Sequence, residues 1–158
     1  DVQQRTDRNV PHGQRYYQKA GFFNEVQPGL IDAIMDVIAN PNPFATTLIF
    51  SQVGGAIKDV TNDATAYANR EAQQQMVLGG SWPNQHDQEE EYIARLRKAW
   101  QTIAPFSNGV YTNNMMGDEG TQKIISNYGE NYARLVALKN QHDPTNLFRL
   151  NVNVEPTV

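Results

Sequence analysis

Between Gly109 and Asn114 the sequence GVYTNN places a phenol among hydrogen-bonding side chains: Tyr111, Thr112, Asn113 and Asn114. A tyrosine hydroxyl can donate, accept or, once activated, take a proton; an asparagine amide has no titrating proton and can only orient what it touches. Read as a strand, the segment puts Tyr111 and Asn113 on one face and Asn114 on the other. Competing chemistry is thin elsewhere. His12, His86 and His142 stand isolated, and the absence of cysteine leaves little for metal or thiol sites. Glu89, Glu90 and Glu91 fall in the first turns of a helix, where the macrodipole favours carboxylates, and read as a solvated face. Gly54-Gly55 lacks the Lys-Ser/Thr of a phosphate loop and reads as a turn in need of positive φ.

These residues need elements to hold them. Apolar spacing predicts a helix over 29–39 with Leu30, Ile31, Ile34, Met35 and Ile38 inward, started by Pro28 and stopped at Asn40-Pro41. A second helix over 86–104 carries a stripe of Ile93, Leu96, Trp100 and Ile103. Two more follow at 118–128 and 130–140, the first with Ile124, Ile125 and Tyr128 on one face and Gly129 just past its end, the second with Tyr132, Leu135, Val136 and Leu138 on one face. Asp143-Pro144 reads as an N-cap and first helical position, opening a single turn. Strands are expected at 46–51, from its β-branched and aromatic run, at 73–82, and at 109–113. Residues 13–23 form a further strand-like aromatic cluster, and the LNVNV tail is strand-like too. In 73–82, alternation sets Gln73, Gln75, Val77, Gly79 and Ser81 against Met76, Leu78 and Trp82. The architecture implied is α+β: an antiparallel sheet covered on one side by helices.

The 158 residues suffice for one domain with its own core. A net charge of −4 and a pI near 5.3 provide no basic stripe for phosphates, which argues against nucleic acid as a partner. Mean hydropathy is −0.61 and there is no run of about 18 apolar residues to span a bilayer, so no membrane is expected and either a cytoplasmic or a secreted setting fits. The first fifteen residues are polar, begin without methionine and lack a signal-peptide core, so a fragment or processed piece is expected. Residues 1–14 read as an irregular lead or cut linker.

Three spaced motifs carry a resemblance. Tyr-x-Asn at 111–113, Tyr-Gly-x-Asn-Tyr-x-Arg-Leu at 128–135 and Lys-x-x-x-Asp-Pro-x-Asn-x-Phe-Arg at 139–149 together resemble the C-terminal end of the berberine-bridge-enzyme-like FAD-linked oxidases, within the vanillyl-alcohol-oxidase type of flavoprotein. Gly54-Gly55-Ala56 is similar to a family Gly-Gly-Ala, and Thr65-Ala66-Tyr67 with Asn69-Arg70 resembles Thr-Ala-aromatic-x-His-Arg, with Asn69 in place of the histidine. Lys19, before a small residue and an aromatic run, is a further weak match. The likeness runs from about Arg15 to Val154 and covers only the end of a family member.

The resemblance implies the substrate-side portion of an FAD-dependent oxidoreductase. Such an enzyme oxidises an alcohol, a sugar or a secondary metabolite by hydride transfer to flavin, with O2 as electron acceptor. Residues 15–106 would belong to the substrate-binding domain and 107–158 to the segment returning to the FAD domain. FAD would be held mainly by that upstream part of the polypeptide, the expected partner beside a small-molecule substrate; alone, the segment is expected to bind no FAD, to be inactive, and to self-associate or stay docked. Tyr111 and Asn113 would lie beside the isoalloxazine, Asn113 as a flavin contact or a structural hydrogen bond. Asn114 stands where the family often has a tyrosine base, which leaves the identity of the base open. Gln75, on a strand that faces the flavin in the family, would orient substrate or flavin, or be an ordinary sheet residue. Arg70 would either pair with a carboxylate of its own fold or touch flavin. From a different class, the alternative is a non-catalytic binding module that keeps the fold without flavin.

Overall fold

The computed structural model describes residue 4 and residues 12–40, 46–84, 87–150 and 152–158. His86 and most of the irregular lead lie outside the described residues. Three antiparallel strands form one sheet in the order β1-β3-β2: β1 (Gln14–Phe23), β2 (Thr46–Gln52) and β3 (Gln74–Pro83). β3 is central, pairing with β1 from Gln14 opposite Pro83 to Phe23 opposite Gln74, and with β2 from Thr46 opposite Gly80 to Gln52 opposite Gln74. The α+β class and the strands near 46–51 and 73–82 agree with the sequence.

The third strand does not. The sheet is completed by the aromatic cluster at 14–23, not by 109–113, which makes only a single bridge from Gly109 to Phe22. Beyond that bridge, Asn127 competes for the backbone: its Oδ1 accepts from the Val110 N–H at 3.2 Å, and residues 112–114 then close a 3-10 turn. A side-chain amide has replaced a ladder partner.

Opposed residues on antiparallel strands share a face. One face carries Tyr17, Lys19, Gly21 and Phe23 of β1, Met76, Leu78 and Trp82 of β3, and Leu48 and Phe50 of β2. Helices α1 (Pro28–Ala39) and α2 (Glu89–Ile103) bury this face. α2 contributes Leu96, Trp100 and Ile103 to the core, as its stripe predicts, together with Tyr92, which takes the buried place expected of Ile93, itself packed at the margin. α1 is turned relative to expectation. It buries Leu30, Ala33 and Val37, while Ile31, Met35 and Ile38 are exposed. Both sets satisfy helical spacing, and the smaller Ala33 admits the closer approach to the core.

At the β1 edge an ion network closes the core. Lys19, 7 % exposed, reaches Asp118 at 2.9 Å and Glu119 at 2.8 Å; Tyr17 donates its hydroxyl to Asp118 at 2.6 Å and Arg97 donates to the same oxygen. Burial alone would raise the Asp118 carboxyl, but hydrogen bonds from Tyr17, Lys19 and Arg97 outweigh it and hold it well below the usual carboxylate range.

The remaining helices, α3 (Thr121–Tyr128) and α4 (Asn131–His142), meet the loop before β3. Their innermost residues are amides where the sequence suggested apolar ones. Asn127 accepts from Asn69 Nδ2 at 3.1 Å, and Asn131 donates to the Asn62 carbonyl at 2.7 Å. Gly129 ends α3 with φ +53°, as expected of a residue just past a helix end. Asp143 caps the end of α4 and opens no helical turn. Its carboxylate accepts from the N–H groups of Leu147 and Phe148, an Asx-type turn with Asn146 at φ 54°, and it pairs with Lys139. Among the described residues the tail has no strand partner, and Thr157 is held by Asn140 through both its N–H and its hydroxyl.

Candidate functional site

The second face of the sheet presents Gln18, Ala20 and Phe22 of β1, with Gln75, Val77 and Gly79 of β3. No long helix lies on it near Gln75. The cover comes from the loop after β2, where Gly54 (φ +137°) and Gly55 (φ +56°) turn the chain into a short 3-10 element at 55–57, as the glycine pair predicts. Tyr67 then packs edge-on against Phe22, ring centres 6.0 Å apart, and against Tyr111 at 6.5 Å.

Between these pieces lies a cleft of about 340 Å³ lined by Phe22, Val53, Ile57, Tyr67, Arg70, Gln75 and Tyr111. It joins residues far apart in sequence: Gln75 enters from the central strand, Tyr111 from the segment bridged to β1 at Gly109. Most of the wall is aromatic or aliphatic, with three polar groups converging on it, the usual make-up of a small-molecule site. Among the described residues the Gln75 amide has no hydrogen-bond partner, so both its donor and its acceptor are available.

Tyr111 is 37 % exposed, and its phenolic oxygen accepts from Asn113 Nδ2 at 2.8 Å. Burial pushes the Tyr67 phenol up, the nearby Arg70 charge opposing, so it stays a protonated donor near neutral pH.

The 3-10 turn removes the alternation expected for 111–114. Asn113 reaches back to Tyr111 and lines a neighbouring cavity of about 200 Å³ with Asn69, Val110 and Asn127. Asn114 lies outside the cleft lining, its peptide carbonyl accepting from Gln18 Nε2 at 3.3 Å. Thus the structure brings together Gln75 and Tyr111, sets Asn113 behind Tyr111, and leaves Asn114 on the Gln18 side.

Arg70 departs from the carboxylate pairing expected of it. It is 8 % exposed and donates through Nη1 to the Ile57 carbonyl at 3.1 Å and through Nη2 to the Thr65 hydroxyl at 2.7 Å, with its guanidinium 5.4 Å from the Tyr67 ring centre. The loop wraps the arginine with its own neutral oxygens. Sequence reading also missed Phe22 and Tyr67 as cleft walls. The signal for Phe22 was available: strand alternation from Tyr17 and Phe23 in the core puts Phe22 on the other face.

The fold is thus an α+β segment with a cleft on the loop-covered face of its antiparallel sheet, where amide and phenol groups meet an aromatic wall. Comparison with known proteins supplies the family. Residues 110–155 match the family model described as berberine and berberine like. An FAD-linked oxidoreductase of Dictyostelium discoideum is 29% identical over 95% of this chain, which spans 33% of that protein. A glycopeptide hexose oxidase solved with teicoplanin has the same fold, with a TM-score of 0.81 at 21% identity over 91% of this chain and 33% of its own. Berberine bridge enzyme from Eschscholzia californica superposes with a TM-score of 0.77 at 19% identity over 98% of this chain and 36% of its own. Residues 110–155 thus carry the berberine-like match, and the chain as a whole is similar in sequence and fold to FAD-linked oxidoreductases of the berberine-bridge-enzyme type, spanning about a third of the length of these relatives. No helix among the described residues is long and apolar enough to cross a membrane.

Proposed function

We propose that this chain is the substrate-side portion of an FAD-dependent oxidoreductase and that the Gln75–Tyr111 cleft holds the reacting part of a small organic substrate, an alcohol, a sugar or a secondary metabolite. The observation that carries the reading is the convergence of an unpartnered amide and an amide-supported phenol, from separate elements, on one aromatic-walled cleft. A flat, oxygen-bearing ring fits that donor set: apolar walls for its faces, and Gln75, Tyr111 and Arg70 for its polar edge. When bound, flavin would supply the two-electron acceptance that no side chain provides, with O2 as the proposed final acceptor.

The residues of this chain then have distinct tasks. Gln75 orients the substrate through hydrogen bonds and takes no proton. Tyr111, once deprotonated to the phenolate, takes the substrate proton at its phenolic oxygen and returns to the neutral phenol, held in place by the Asn113 amide. Tyr67 and Phe22 exclude water from one side of the cleft. In this reading Asn114 leaves the proton to Tyr111. The rest of the polypeptide binds most of the FAD and is the partner of the open cleft, with self-association the outcome when that partner is missing.

The test is optical. The protein carrying its flavin-binding part is expected to be yellow, with absorption that survives gel filtration, and Asn113→Ala should slow anaerobic flavin reduction by about tenfold or more while shifting the melting temperature little. A colourless protein that takes up no added FAD would instead favour the flavin-free binding module. Unchanged reduction kinetics with lost stability would make Asn113 structural.

A further inference from the structure

Arg70 borders the cleft with a charge that none of the tasks assigned to Gln75, Tyr111, Tyr67 and Phe22 uses. Its cation is more than nine-tenths buried and makes no ion pair among the described residues. Glu71, its neighbour in sequence, is exposed and does not reach it. A guanidinium has five N–H donors; here Nη1 and Nη2 each meet one neutral oxygen, and the buried Nε–H has no acceptor among the described residues. Burying a cation with so little compensation is costly, and native proteins ordinarily supply a carboxylate. The uncompensated charge borders the aromatic cleft rather than a closed core.

Resting on the reading of that cleft as the ligand site, we infer that Arg70 is the group that recognises the ligand's polar edge, and that the cleft selects a flat, largely apolar ligand bearing an anionic or carbonyl oxygen. The geometry separates the two requirements. Tyr67, Phe22 and Tyr111 accommodate a ring, and the guanidinium beside Tyr67 donates to a ligand oxygen that a neutral cleft would leave unpaired. Two sources carry such an oxygen: a carboxylate or phenolate of the substrate, and the carbonyl edge of the flavin ring.

Titrations of the 158-residue chain with benzoate, benzyl alcohol and lumiflavin, followed by NMR, separate the possibilities. Benzoate is expected to bind at least about tenfold more tightly than benzyl alcohol, which has the same ring without the charge, and Arg70→Gln is expected to erase that preference. Lumiflavin binding that weakens by a similar factor in Arg70→Gln, with no benzoate preference, supports the inference and assigns the oxygen to the flavin edge. Equal affinities for benzoate and benzyl alcohol, with lumiflavin indifferent to Arg70→Gln, would overturn it. Because Arg70 also ties Ile57 to Thr65, the substitution has a fold risk. The wild-type Arg70 Nε–H resonance is therefore the second readout: it should move on adding benzoate or lumiflavin and stay still with benzyl alcohol, and a resonance indifferent to all three would also overturn the inference. The oxidase reading fails separately, by the absence of flavin reduction in the longer protein, whatever these titrations give.

Discussion

The two faces of the sheet are built from the same three strands to opposite ends. One is dry and filled, with Leu78, Met76 and Phe23 under Trp100, Leu96 and Ile103, its margin closed by the Lys19–Asp118–Glu119 network. The other keeps a cleft in which an amide and a buried guanidinium have unmet hydrogen-bonding capacity. The filled face also leaves the Trp82 Nε1–H without a partner among the described residues, but that donor is sealed in the core, whereas the unmet groups of the other face border a cleft that a ligand can enter.

Substitutions should divide along the same line. The largest effect is expected at Trp100, buried to 6 % in the core cluster: Trp100→Ala removes an indole the surroundings cannot replace and should cost about 3–5 kcal/mol in denaturant unfolding. A loss under about 1 kcal/mol would mean the filled face is not what stabilises the fold.

The same change made on each face is a sharper comparison. A methyl at Gly21 would meet Ser107 Cβ at 2.9 Å and the Trp100 ring at 3.0 Å, both fixed by packing, and Gly21→Ala should cost about 1–3 kcal/mol. At Gly79 the methyl would meet the Tyr16 hydroxyl at 2.4 Å, a nearer contact on paper, but Tyr16 is 39 % exposed and its phenol can swing aside. Gly79→Ala should therefore cost about 0.5 kcal/mol or less. Equal losses at the two glycines would erase the distinction between the faces.

How much of this division was legible in the sequence depended on which competitor each backbone group met. Alternation in β3 and the α2 stripe sorted Met76, Leu78, Trp82, Leu96 and Trp100 correctly, because apolar burial follows period and nothing opposes it. Gly109–Asn113 was misread as a strand because its partner is the side chain of Asn127, a contact 17 residues away that no periodicity encodes. α1 was misread by rotation, two apolar stripes being equally periodic. At the site, Gln75 and Tyr111 were found through motif and register, whereas Arg70 was assigned a carboxylate by general habit and found a carbonyl and a hydroxyl of its own loop. Lys19 and Asp118 form the converse case, a part-buried ion pair nearly 100 residues apart in sequence.

That pair sets the acid response. The Asp118 carboxyl is held below its unfolded value of about 3.9, so its contribution is complete above that pH and is lost as pH falls further. Thermal unfolding between pH 5 and 2 should show stability dropping below about pH 4. Asp118→Asn should lower stability at neutral pH and flatten that acid limb; an unaltered limb would place the sensitivity elsewhere.

The central claim, that the cleft face carries the chemistry while contributing little to the fold, is tested most directly by Tyr111→Phe in the flavin-containing protein. Removing the phenolic oxygen should slow anaerobic flavin reduction by about a hundredfold or more, the usual worth of a positioned proton acceptor, while the melting temperature stays within about 2 °C of wild type. Reduction at the wild-type rate in a folded Tyr111→Phe protein would contradict the claim.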